Sequence, residues 1–102
     1  MFVHVSEDPE RTWPRIAEHA LHETNSYGAW LAAAGDPGPY AQLNDVAAVR
    51  ASGNYLVLTP DECVALAREQ GHLTLHPLMG GLDPDVAAES LELVESKVLP
   101  KL

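Results

Sequence analysis

Short β-prone runs and helical segments alternate along the chain, and that alternation restricts the fold more than any other feature. Phe2-Val3-His4-Val5 is β-prone. Asp8 and Pro9 follow as a helix start, with Asp8 a cap and proline suited to the first helical position. Trp13, Ile16, Ala17, Ala20, Leu21, Trp30 and Leu31 recur at helical spacing. Pro14 is tolerable only in a first turn, so the regular helix is expected from about Thr12, after a separate turn. Gly35 to Pro39 reads as a loop. Asn44 is the expected cap of a short helix through Val49, stopped by Gly53. Tyr55 to Leu58 is a second strand. Thr59-Pro60-Asp61-Glu62 then has capping-box spacing, for a helix to about Gln70 that Gly71 stops. His72 to His76 is a third strand, Pro77 to Leu82 a loop, and Asp83-Pro84 opens a last helix with Ala87, Leu91, Val94 and Val98 on one face.

This order, β-α-β-α-β-α, predicts an α/β fold in a single domain over residues 1–102, with three short parallel strands near Val3–Val5, Leu56–Leu58 and Leu73–His76. The longest helices fall within Trp13–Ala33 and Pro84–Leu99. Crossovers made in one direction place every helix on one face of the sheet. The other face is then bare, although Tyr55, Leu56, Val57 and Leu58 make either face apolar. A homo-oligomer, most simply a two-fold dimer, is the expected remedy.

Charge narrows the partners. Lysine and arginine number 6 against 15 acidic residues, for a formal charge of −9, and the basic residues are scattered. Nucleic-acid binders need clustered positive charge, so no such partner is expected. No apolar run approaches the ~18 residues of a membrane span. Met1 leads directly into the first β-prone run, and Cys63 is the single cysteine, which together suggest a cytoplasmic protein. Cys63 sits at an apolar helical position and reads as a buried structural thiol.

Few residues stand out for chemistry. His76 ends a strand, where ligands gather in parallel α/β folds, and histidine serves as acid or base near neutrality; it is the candidate catalytic residue. His19, His22 and Glu23 share a helix face at possible metal spacing, but a polar helix face is the plainer reading, and no metal site is assigned. Gly80-Gly81 lacks a phosphate-loop pattern and reads as a backbone turn. His4 reads as strand packing, Ser26 and Ser90 lack a nucleophile elbow, and Trp13, Tyr27 and Trp30 read as core anchors.

Several segments, in order, carry a family resemblance. They are Phe2-Val3-His4-Val5-Ser6-Glu7-Asp8-Pro9-Glu10-Arg11, the helix from His19 through Tyr27 and Trp30, Tyr55 to Cys63, Leu73 to Leu82, Ser90 to Leu93, and Val98-Leu99-Pro100. Together they resemble the C-terminal portion of the luciferase-like monooxygenases. The resemblance implies a partial (β/α)8-barrel fragment and an oxidoreductase using flavin or F420 on a small organic substrate. It places Met79, Gly80 and Gly81 at the barrel mouth as substrate contacts, with His76 beside them. A whole barrel needs about 250 residues. No cofactor-binding residue is therefore carried over, and tight flavin binding by the isolated chain is not expected. Three readings follow: an oxidoreductase fragment completed by its own copies or by another chain, a non-enzymatic oligomeric interaction module, or a small-ligand binder.

Overall fold

The computed structural model describes residues 1–35 and 45–102. The expected loop over residues 36–39 and the Asn44 cap lie outside them. Helix dominates. Strand β1 (Phe2–Val5) leads into the 25-residue helix α1 (Pro9–Ala33), then α2 (Val46–Ser52), β2 (Tyr55–Leu58), α3 (Pro60–Gln70) and α4 (Pro84–Leu93). A 3-10 turn at Met79–Gly81 precedes α4, and a π turn at Val94–Val98 extends it.

Local signals act as their chemistry dictates. Asp8 accepts from the Arg11 N–H at 3.3 Å, and α1 begins at Pro9 rather than near Thr12. Pro14 stays inside the helix because both it and Glu10, whose carbonyl it leaves without a donor, are exposed to water. Thr59 and Glu62 form the reciprocal capping box at 3.1 and 3.2 Å, and Gly71 ends α3 at φ 78°. Asp45 caps α2 by accepting from the Ala48 N–H at 2.8 Å.

The expectation of three strands alternating with helices in a barrel fragment is corrected. The sheet has two strands, β1 and β2, parallel and in register from Phe2↔Tyr55 to Val5↔Leu58. Residues 73–76 make one parallel bridge, Val3↔Leu75, and no strand. Backbone donors explain both its position and its brevity. Phe2 and Ser6 donate toward β2, to Asn54 and Leu58, while Val3 donates from the opposite edge to the Thr74 carbonyl at 2.9 Å. The next donor on that edge, the Val5 N–H, bonds Ser90 Oγ of α4 at 2.8 Å, so no further ladder bond forms. The segment thus lies across β1 from β2. A barrel would set consecutive strands side by side.

That order also corrects the bare sheet face. The chain crosses from β1 to β2 and then returns past β1, and crossovers of one hand in opposite directions place helices on opposite faces. On one face Phe2, Tyr55 and Val57 pack with Trp13, Ile16, Ala17 and Ala20 of α1. On the other, Val3 and Val5 pack with Cys63 and Val64 of α3 and with Val98. Each large side chain so buried contributes about 1.5–3 kcal/mol. The dimer expectation therefore loses its stated premise.

Two further expectations change. Trp13 is buried, but Tyr27 and Trp30 lie on the exposed side of α1 rather than in the core. The last helix is not regular to Leu99: its π turn keeps Val94 and Val98 both against the β1 face. Among the described residues no helix is long and apolar enough to cross a membrane.

Candidate functional site

Helical spacing on α1 carries Ile16, Ala20 and Glu23 to the same inward face, so a carboxylate is delivered into the core. Its Oε2 accepts from the Tyr55 hydroxyl at 2.6 Å. Its Oε1 lies 2.5 Å from His76 Nε2 and accepts from the Gly80 N–H at 3.4 Å. His19, one turn earlier, sets its Nδ1 3.1 Å from the Gly80 carbonyl. The residues singled out around the 76–81 loop therefore meet α1, but they do so as a clamp. His76 is half-buried, its ring packed 4.8 Å from that of Phe2. Met79 is fully buried in the core. Gly80 passes so close to α1 that a Cβ there would lie 2.1 Å from the His19 carbonyl oxygen. Gly81 holds φ 79° in the turn. His19, His22 and Glu23 diverge: the first bonds Gly80, the second is exposed, the third faces Tyr55 and His76.

A second constellation lies at the carboxyl end of β1, where ligands collect in open parallel sheets at the point where strand order reverses. A cavity of about 490 Å³ opens there between the start of α1 and the outer side of α4. His4 lines it while only 2 % exposed. Its imidazole has no hydrogen-bond partner among the described residues. Burial pushes its pKa below the ordinary 6.5, against a raising influence of Glu89 and with a smaller lowering by Arg15. The ring is therefore neutral at pH 7 and offers one donor and one acceptor nitrogen.

The cavity walls are ordered by their own bonds. Arg15 grips Glu89 through two contacts, at 3.0 and 3.5 Å. Ser6 and Thr12 share a hydrogen bond of 2.7 Å, and the Asp8 N–H donates to Ser6 Oγ at 3.0 Å. Arg11 lines the same space and pairs with no carboxylate among the described residues. Four carboxylates (Glu7, Asp8, Glu89, Glu92) face two guanidiniums, and Asp8 already caps the helix start. This is a poor setting for phosphate and a good one for a polar ligand of little net charge.

From sequence alone, His4 reads as strand packing. The available signal was a histidine in a strand that leads straight into a capped helix, but recognising a site there requires knowing that the strand order reverses beside β1. No protein-family model, no curated protein and no solved structure matches this chain.

Proposed function

We propose that this chain is a small-ligand-binding module, taking a polar neutral or zwitterionic molecule at the carboxyl end of β1. One observation carries the reading: His4 is a buried, neutral histidine without a hydrogen-bond partner among the described residues, on the wall of a cavity of about 490 Å³. The fully buried, unpaired side-chain atom among the described residues is Thr24 Oγ1, so the His4 ring nitrogens reach the cavity, where a ligand donor or acceptor can pair them. His4 accepts from and donates to the ligand, and Arg11 orients it from the rim. The cavity size suits a small metabolite.

Titration of the chain against a neutral polyol, a free amino acid and a dianionic phosphate ester, followed by the ring signals of His4, tests this. One of the first two is expected to shift His4 saturably, and the phosphate ester is not. His4→Phe and Arg11→Gln each weaken the response, the second from an exposed position that leaves folding intact. A His4 signal indifferent to all three classes overturns the reading. The oxidoreductase reading rests on the sequence resemblance alone; flavin mononucleotide or F420 bound with a dissociation constant below about a micromolar, roughly 8 kcal/mol, would favour it instead.

A further inference from the structure

In a chain with 15 acidic and 6 basic residues, a cation without a carboxylate partner is unexpected. Arg15, Arg50, Lys97 and Lys101 each hold one, in Glu89, Glu10, Glu7 and Asp61. Arg11, on the His4 cavity, does not, and neither does Arg68 in the last turn of α3: its Nη2 donates to the Lys101 carbonyl at 2.5 Å, and no carboxylate pairs with it among the described residues. Beside it stands the exposed His72, whose Nδ1 lies 3.3 Å from the Gln70 carbonyl. These two side chains rim a groove of about 540 Å³. Leu73, Leu75, Val94 and Val98 line it. The π turn sets Val94 and Val98 along one wall, and π turns of this kind are frequent at functional sites.

The groove is lined mainly by apolar side chains and carries the Arg68 guanidinium on its wall, which is the complement of an alkyl carboxylate. We propose that it binds an amphipathic monocarboxylate, with the alkyl chain along Leu73, Leu75, Val94 and Val98 and the carboxylate at Arg68 and His72. Guanidinium is the side chain best matched to a carboxylate, through paired N–H donors. The volume lies within the usual range for small-molecule sites. A second copy of the chain is the weaker occupant, because each copy carries a formal charge of −9 and like charges oppose its approach. This site is separate from the His4 cavity and stands without it.

The test is a methyl-resolved NMR titration of the whole chain with decanoate, dodecanoate and dodecanol, paired with light scattering. Dodecanoate is expected to saturate and to shift the Leu73, Leu75, Val94 and Val98 methyls. Each added methylene contributes about a fourfold gain, so dodecanoate binds roughly fifteenfold tighter than decanoate. Arg68→Gln lowers dodecanoate affinity about tenfold and leaves dodecanol unchanged. If that variant does not fold, the comparison of dodecanoate with dodecanol on the native chain decides the carboxylate's role. Absence of saturation by about 1 mM dodecanoate overturns the proposal. So does equal affinity for alcohol and acid, or a doubled mass without ligand together with shifts of the same methyls on dilution, which assigns the groove to a second copy.

Discussion

Glu23 and His76, 53 residues apart, meet with Oε1 2.5 Å from Nε2, and this pair ties α1 to the loop that replaces a third strand. Tyr55 completes it from β2. Tyr55→Phe is expected to cost about 1–3 kcal/mol, because Glu23 then loses a donor in a buried place. His76→Ala costs a similar amount. Both act through the same carboxylate, so the double variant departs from additivity by about 0.5–3 kcal/mol. Urea denaturation of the four proteins of the cycle measures this, and strict additivity would show that the three side chains do not act as a unit.

Gly80 and Gly71 give opposite answers to one substitution. Both hold positive φ, so alanine costs about 1–2 kcal/mol at either. At Gly71 the added Cβ meets open space, and nothing more is lost. At Gly80 it would lie 2.1 Å from the His19 carbonyl oxygen, which adds an overpacking cost of about 1–3 kcal/mol. Thermal melts are expected to rank Gly80→Ala clearly below Gly71→Ala. Equal melting temperatures would show that the loop does not press on α1.

His4 makes stability depend on pH in a definite direction. Its folded pKa lies below 6.5, so in mild acid the unfolded chain binds the proton that the folded imidazole refuses. Its contribution is fully present above pH 6.5, is lost as pH falls below that value, and stops changing once the folded ring protonates. His4→Phe is expected to lose less stability than the native chain between pH 7.5 and 5.5. An identical loss in both proteins removes His4 from the acid response.

Cys63 has no exposed surface, and burial raises its thiol pKa. Thiolate, the reactive form, is scarce and inaccessible. A disulfide reagent at neutral pH is expected to label Cys63 only as fast as the chain opens, with the rate rising in sub-denaturing urea. Immediate labelling of the native protein contradicts this packing.

The local signals were legible because they depend on neighbours in sequence. A side-chain oxygen three residues ahead of an N–H caps a helix wherever the helix later packs, as Asp8 and Thr59 do, while Glu62 reaches back to the Thr59 N–H. Glycine at positive φ ends α3 at Gly71 for the same reason. His76 was likewise visible as a histidine closing a β-prone run. Its partner was not, because periodicity places Glu23 on a helix face without saying which distant side chain that face meets. The cavity beside His4 is hidden on the same ground.

Apolar residues in β1, β2 and residues 73–76 mark segments able to pair, but every such segment offers the same backbone donors and acceptors. Sequence by itself therefore determined the helix caps at Asp8 and Thr59 and the stop at Gly71, which residues are β-prone, and that the parallel segments need covering. Tertiary structure alone decided that β1 lies between β2 and residues 73–76, that Ser90 takes the Val5 N–H and curtails the third strand, and that both faces are covered. Those outcomes follow from competition among distant partners for a few backbone groups, and each partner's claim depends on how the whole chain packs.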